Sequence, residues 1–237
     1  METSNAENTR VLKIFGLIYA QEWIKLKRTL RINNICHRSS VARCSGPCST
    51  SCKSNHSALH SACEFHPPLD VVKILYKAYP AAVCEYDCQE CSVLHIACGH
   101  GCSPEVIKFL LEQNPEAAKK KDVENRTPFL TAFKSYVAES DKELRKANQD
   151  LLEVARELYH AYPEASVNED CSRRNALDYA IEEELHEGTV VYLQLIVRKE
   201  NSLSHKLNRI NVIKLDMEKF CHMKNYVLPK SQKAMAA

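Results

Sequence analysis

The sequence predicts an all-α protein built as a helical solenoid, and three observations support this fold class. A six-residue apolar element recurs along the chain at fixed offsets. A second, proline-containing element recurs with the same offsets. Between the two elements, apolar residues follow the helical period. Recurrence at a few tens of residues indicates one supersecondary unit repeated along the chain.

The offsets of the two elements agree with each other. The apolar element has successive offsets of 35, 35 and 48 residues, and its copies are Ala58–Cys63, Val93–Cys98, Pro128–Phe133 and Ala176–Ile181. The proline element begins at Tyr79, Asn114 and Tyr162, with offsets of 35 and 48. Two markers with common offsets are simply explained by a repeated unit, and the longer spacing by 13 inserted residues in one copy.

Each unit is predicted to contain two helices. In the second unit, residues 93–99 form a short helix and residues 105–111 continue with helical apolar spacing after a turn. Ser103 suits the N-cap of the second helix, and Pro104 suits its first position. Pro115 is predicted to end that helix, because proline cannot continue it.

These residues resemble the ankyrin repeat. The Thr-Pro-Leu-His-x-Ala signature is partly matched in all four units, with Leu-His-x-Ala intact at 59–62 and 94–97 and Thr-Pro at 127–128. The second-helix pattern appears at 71–75 and 106–111. The resemblance covers about 56–198 and implies an ankyrin-type helical solenoid. The tetratricopeptide class has a similar period, but its Trp and Leu-Gly landmarks are missing.

The sequence departs from the ankyrin pattern at the inter-repeat fingers. The glycine that normally precedes Thr-Pro is replaced by Glu90, Asn125 and Arg173. Asn tolerates a left-handed backbone, whereas Glu and Arg do so poorly. Irregular fingers are therefore expected.

The predicted organisation has four parts. An N-terminal helical cap at 1–34, with helices near 11–19 and 23–30, precedes a Cys/Ser-rich loop at 35–55. The repeat array spans 56–198, and a basic C-terminal tail at 199–237 follows, with one helix near 212–220. The units of the array are 56–91, 92–126, 127–174 with the insertion, and 175–198. The insertion is predicted to lengthen a helix that starts near Asp141 and is capped by Ser140.

Composition and charge bear on partners and compartment. The longest apolar runs are too short to span a membrane, and no signal peptide is expected. Twelve cysteines in a chain of this length favour a reducing compartment, cytoplasmic or nuclear. Net charge is +6 over residues 1–53, −10 over 54–197 and +6 over 198–237. The acidic array favours a basic partner and opposes nucleic acid, although the basic ends leave nucleic acid or an anionic membrane as an alternative.

Histidines and cysteines are the residues that could suggest chemistry. His60 and His95 occupy the same slot of successive repeats, where the resemblance implies hydrogen bonds between neighbouring turns. Cys63 and Cys98, beside the repeat's core alanine, are interpreted as small buried apolar groups. No nucleophile or phosphate-binding motif is present, so no catalytic residue and no cofactor is predicted.

The loop cysteines leave two interpretations open. Cys36, Cys44, Cys48 and Cys52, together with His37 and His56, could supply the four ligands of a zinc ion. Alternatively, the segment is a flexible Ser-rich loop with exposed reduced thiols. A second set in the first finger, Cys84, Cys88 and Cys91, is interpreted as solvent-facing.

The predicted function is that of a non-catalytic scaffold that binds another protein. The resemblance implies that the concave face, made by the fingers and first helices, is the binding surface. The candidate contact residues are Phe65, Tyr86, Gln89, Glu90, His100, Val123, Glu124 and Arg126. The alternative function is a metal- or redox-responsive protein that uses the 36–56 segment.

Overall fold

The computed structural model describes residues 2–33, 56–134 and 141–204, and these residues are mostly helical. An N-terminal hairpin consists of α1 (Glu2–Tyr19) and α2 (Trp23–Asn33). The first helices of the repeats are α3 (Ala58–Cys63), α5 (Val93–Gly99), α7 (Pro128–Lys134) and α9 (Ala176–Glu182). The second helices are α4 (Leu69–Ala78), α6 (Pro104–Gln113), α8 (Asp141–Ala161) and α10 (187–204). Within the described ranges no strand forms, and an isolated bridge joins Tyr86 and Ser92.

The chain divides into two compact units, Met1–Gln194 and Leu195–Ala237. The second unit is described only for residues 195–204, which are helical. In the first unit the helices form two rows. The first helices contact one another in the order α1, α3, α5, α7 and α9, and the second helices in the order α2, α4, α6 and α8. The all-α helical solenoid predicted from the sequence is confirmed.

Local signals explain the helix boundaries. Ser57 and Ser92 cap α3 and α5, and Asn175 caps α9. Each described second helix that precedes a proline corner ends two residues before the proline, and a short 3₁₀ helix follows it. These 3₁₀ helices are Pro80–Cys84, Pro115–Lys119 and Pro163–Val167.

The insertion lengthens α8. This helix has 21 residues, whereas α4 and α6 have 10 each. The predicted start near Asp141 is confirmed. Ser140, the predicted cap, and the predicted helix near 212–220 lie outside the described residues.

One local prediction was wrong, and another is confirmed in position only. The first helix of the N-terminal hairpin begins at Glu2 rather than near residue 11. Polar residues such as those before Val11 show no apolar periodicity, but their intrinsic helix propensity is sufficient to extend a helix. Ser103 does stand at the N-cap of α6, but its side chain makes no capping hydrogen bond there.

The core lies between the two rows of helices. Leu59 and Leu94 are 2 % exposed, and Phe129 is 1 % exposed. The largest fully buried apolar side chains come from both rows and from the N-terminal hairpin; they include Ile18, Leu26, Leu59, Ile107, Phe129, Leu130, Phe133, Leu158 and Leu193. A continuous core of this kind holds each repeat only against its neighbours.

Candidate partner-binding surface

Three fingers project between successive repeats, and one aspartate organises each of them. We define the fingers as residues 85–92, 120–127 and 168–175. Asp87, Asp122 and Asp170 occupy the same position in each, and they are separated by the repeat offsets of 35 and 48. Because an aspartate can hydrogen-bond to backbone N–H groups that follow it, it can hold a turn without glycine.

The aspartate oxygens accept the same two hydrogen bonds in every finger. Oδ1 of Asp87 accepts from the N–H groups of Gln89 at 2.8 Å and Cys91 at 2.9 Å. Oδ1 of Asp122 accepts from the second and fourth residues after it, both at 2.9 Å. Oδ1 of Asp170 accepts the equivalent bonds at 2.7 and 3.1 Å. The fingers therefore share one conformation.

The irregular fingers expected from the sequence are not found. Glu90, Asn125 and Arg173 all adopt the left-handed conformation that glycine normally occupies, with φ of 59°, 65° and 59°. The conformation costs a non-glycine residue roughly 1–2 kcal/mol. In each finger the aspartate bonds and a backbone bond from this residue to the aspartate carbonyl hold the strained residue in place.

Neighbouring fingers are joined to one another. The Val123 N–H donates to the Gln89 carbonyl at 3.0 Å, and the Cys171 N–H donates to the Glu124 carbonyl at 3.0 Å. The Asn125 side-chain amide adds a bond to the Glu169 carbonyl at 2.7 Å. The fingers thus form a ladder whose side chains are carried on a fixed backbone.

The two repeat histidines complete the caps of their first helices, and His95 also connects its helix to a finger. Nδ1 of His95 accepts a hydrogen bond from the Ser92 N–H at 3.2 Å, and Nε2 lies 3.1 Å from the Arg126 carbonyl, to which it donates in this tautomer. His60 repeats the cap with Ser57. Burial, aided by His56, lowers the pKa of His60 to about 3, and burial also lowers the pKa of His95. Both imidazoles are neutral structural groups, as the sequence predicts.

The comparison with protein families decides what these units are. Residues 59–143 match the family model of ankyrin repeats, which describes three copies. Over this range the chain is similar to ankyrin repeats. No curated protein matches the chain. Ankyrin repeats generally serve as protein–protein interaction modules.

Four of the predicted contact residues of the ankyrin repeats are exposed at the fingers. They are Gln89, Glu90, Val123 and Glu124. Val123 is an apolar side chain that remains 55 % exposed. Side chains displayed in this way from a fixed ladder can meet a partner without first ordering a loop.

Two other predicted finger residues are engaged within the protein. The guanidinium of Arg126 is 12 % exposed and is held by the Asp122 carboxylate at 2.7 Å and the Glu124 carboxylate at 2.9 Å. Tyr86 is half-buried, and Nζ of Lys120 lies 5.8 Å from its ring centroid. Arg126 therefore shapes the second finger, while Tyr86 offers only part of its ring.

Phe65 and His100 lie at the ends of two successive first helices. The Phe65 ring packs edge-on against Tyr19 of α1, with centroids 5.7 Å apart. His100 is exposed; partial burial and neighbouring His66 lower the pKa of its imidazole, and Glu64 opposes this shift. The contact with Tyr19 shows that α1 continues the row of first helices on which Phe65 stands.

Sequence reasoning missed two groups of residues. Leu12 and Tyr19 lie seven positions apart on one side of α1 and are 63 % and 45 % exposed. The sequence predicts this helix only as part of the N-terminal cap, and exposure cannot be derived from periodicity where apolar residues occur on both sides of a helix. The three finger aspartates were also missed, although their recurrence at 35 and 48 residues was a detectable signal.

The cysteines of the described residues divide between core and surface. Cys63, Cys98 and Cys102 are buried, and burial raises the pKa of the Cys98 thiol. Cys91 is also buried rather than solvent-facing, and burial followed by the charge of Asp87 raises its pKa to about 12. The prediction of solvent-facing thiols is therefore wrong for Cys91, whereas Cys84 and Cys88 are exposed.

The zinc hypothesis concerns residues that the structure does not describe. Cys36, His37, Cys44, Cys48 and Cys52 lie outside the described residues. His56 is described, and its Nε2 lies 3.0 Å from the Ser61 hydroxyl and 3.4 Å from the Glu64 carboxylate. In the described part of the chain, no group of three or more Cys, His, Asp or Glu residues is arranged to hold a metal ion.

One small apolar cavity lies between the N-terminal hairpin and the first repeat. Its lining includes Phe15, Leu30, Leu59 and Leu75, and its volume is ≈ 20 Å³. A cavity of this volume is close to the minimum that one water molecule needs. It is a packing defect rather than a ligand pocket. Of the helices in the described ranges, none has the length and apolarity to cross a membrane.

Proposed function

We propose that this chain is a non-catalytic scaffold whose ankyrin repeats bind a basic segment of another protein. The observation that carries the proposal is the ladder of fingers, which displays Glu90, Val123 and Glu124 on a fixed backbone. Binding to such a surface costs little ordering entropy, so a few exposed side chains can supply specificity. The proposed surface combines these finger side chains with the exposed sides of the first helices.

Charge supports the choice of a basic partner. Residues 54–197 carry a net charge of −10. Opposite charge accelerates association and discriminates between partners more than it raises affinity, and salt weakens both effects. We therefore expect association with the partner to slow as ionic strength rises. The high cysteine content supports a reducing compartment, and we propose the cytoplasm or nucleus.

The experiment starts with affinity capture from the native source and identification of the captured protein. The captured partner is then titrated against a variant with Glu90→Ala, Val123→Ser and Glu124→Ala. We expect the dissociation constant to rise by about tenfold or more, because interface energy concentrates in a few residues. The melting temperature should change little, since all three side chains are exposed and the ion pairs of Glu124 with Arg126 and Lys134 involve a carboxylate at the surface.

A matched variant provides the control. Glu112→Ala, Val191→Ser and Glu153→Ala remove the same types of exposed side chain from the second helices. We expect this variant to bind like the unmodified protein. If the second-helix variant loses affinity and the finger variant keeps it, the binding surface has been assigned to the wrong side of the repeats.

A further inference from the structure

The outward side of α2 and α4 carries a cluster of cations that the stacking of the repeats does not require. Arg28 and Arg31 of α2 are exposed, as are Lys73 and Lys77 of α4. Within each helix the pair is three or four residues apart, so its members share one side. We call these four residues the basic second-helix surface.

The packing of α2 against α4 brings the two pairs together. The helices contact each other, and Nζ of Lys27 forms an ion pair with the Asp70 carboxylate at 2.6 Å across the contact. The buried side chains Leu26 and Leu30 lie on the opposite side of α2 from Arg28. Packed helices are about 8–10 Å apart, so the two pairs of cations lie on the outward sides of adjacent helices.

Carboxylates do not balance this patch. Residues 23–33 contain no acidic residue, and α4 contains only Asp70, which is paired with Lys27. Among the described residues, no carboxylate lies within ion-pair distance of the four cations. The patch therefore stands in contrast to the acidic balance of the array that surrounds it.

Helix stability does not account for these residues. Arg31 and Lys77 lie in the last turns of their helices, where a cation favours the helix dipole. Arg28 and Lys73 lie further from the helix ends, where that effect has faded. Like charges three or four residues apart also disfavour a helix. Repulsion between these cations therefore slightly disfavours the two helices, and an anionic partner would offset this repulsion.

An apolar side chain adjoins the cations. Ile24 lies four residues before Arg28 on the same side of α2 and is 67 % exposed. On the other side of α4, Nζ of Lys73 lies 5.7 Å from the ring centroid of Phe109, which is half-buried against Tyr76. The patch combines positive charge with apolar groups, which suits an acidic segment that also has apolar side chains.

We propose that the basic second-helix surface is a second docking site, and that its partner is an acidic amphipathic segment of another protein. The site is separate from the fingers and takes a partner of opposite charge. The chain would then join a basic protein to an acidic one. This inference does not rest on the finger proposal, because the two surfaces share no residue.

The test uses the full chain and a fluorescein-labelled acidic amphipathic peptide built from Glu, Ala and Leu. Fluorescence anisotropy measures binding at low ionic strength to the unmodified protein and to a variant with Arg28→Gln, Arg31→Gln, Lys73→Gln and Lys77→Gln. We expect the variant to bind about tenfold more weakly or worse, and Ile24→Ser to lose a smaller factor.

Charge-matched and ligand controls make the test specific. A variant with Lys108→Gln, Lys119→Gln, Lys120→Gln and Lys121→Gln removes the same charge from other exposed positions and should keep its affinity. Equal losses in the two variants would show that only total charge matters, and would overturn the proposal. It would also be overturned if a single-stranded oligonucleotide or phosphatidylserine vesicles bound this surface more tightly than the peptide.

Discussion

Removal of the Asp122 carboxylate should destabilise the second repeat more than any other single change to a finger side chain that we consider. Oδ1 of Asp122 accepts two backbone hydrogen bonds, and Oδ2 binds the Arg126 guanidinium at 2.7 Å. The Asp122 side chain is 1 % exposed, and that of Arg126 is 12 % exposed. In Asp122→Ala, two N–H groups lose their acceptor, and the Arg126 guanidinium loses one of its two carboxylate partners and keeps only that of Glu124.

The magnitude follows from a comparison with the first finger. Asp87 accepts the same two backbone bonds, but Cys91 occupies the position of Arg126, so no ion pair forms there. Loss of these backbone bonds should cost about 1–3 kcal/mol in Asp87→Ala. Loss of one partner of a buried ion pair typically costs about 3–5 kcal/mol. We therefore expect Asp122→Ala to lose about 3–5 kcal/mol.

Urea unfolding followed by far-UV circular dichroism measures both variants. Asp122→Asn keeps an oxygen acceptor but not the charge, and should fall between the unmodified protein and Asp122→Ala. The matched change Asp150→Ala, on α8 and without any of these bonds, should alter the unfolding free energy by less than about 0.5 kcal/mol. If Asp122→Ala and Asp87→Ala lose the same free energy, the Arg126 ion pair contributes nothing and the reasoning is refuted.

Three further predictions concern pH, backbone strain and metal. Stability should fall by about 2 kcal/mol on account of His60 as the pH falls from 6.5 to 5, because burial lowers the pKa of this imidazole to about 3 and only the unfolded state binds the proton. Burial lowers the pKa of His95 in the same direction, so His60→Gln and His95→Gln should each reduce the pH dependence in urea titrations at each pH. Glu90→Gly and Arg173→Gly should each raise the unfolding free energy by about 0.5–1 kcal/mol, because they relieve the left-handed strain. Elemental analysis of protein purified under reducing conditions tests the metal alternative. Close to one zinc per chain, lost in the double variant Cys48→Ser with Cys52→Ser, would support a zinc site. Metal-free protein whose melting point does not change after chelation would refute it.

The pH and strain predictions each have a control. Buried carboxylates lose their contribution to stability at a lower pH than the histidines do. Burial raises the pKa of Asp170, but the hydrogen bond from Tyr179 and the backbone bonds from Arg174 and Ser172 outweigh burial and hold the pKa below its usual range. Stability contributed by Asp170 is therefore lost only below about pH 4. A stability flat from pH 6.5 to 5 would contradict the histidine argument. Asn125→Gly should give no gain, because asparagine tolerates the left-handed conformation and the change also removes the amide bond to the Glu169 carbonyl. A gain at Asn125 as large as that at Glu90 would remove strain as the explanation.

Local chemistry explains why so much of the fold could be predicted from the sequence. The helix pairs follow from apolar spacing, from N-cap residues such as Ser92, and from prolines such as Pro115 that end helices. The structural role of His95 followed from its recurrence at the repeat offset. Each of these signals acts over a few residues, and each recurs, so the sequence by itself determined the fold class, the repeat units and the long α8 helix.

The tertiary structure decided how the surface is built. Glu90 and Arg173 adopt a conformation that their own propensities oppose, because aspartate bonds and the ladder between fingers over-determine the backbone. Arg126 became a buried partner of Asp122 rather than an exposed contact, and Phe65 came to pack on Tyr19, 46 positions earlier in the chain. Side-chain contacts between neighbouring repeats depend on which side of each helix or finger the next repeat packs against. Residue pattern alone does not specify that coverage, because exposed and buried positions both carry apolar and charged side chains.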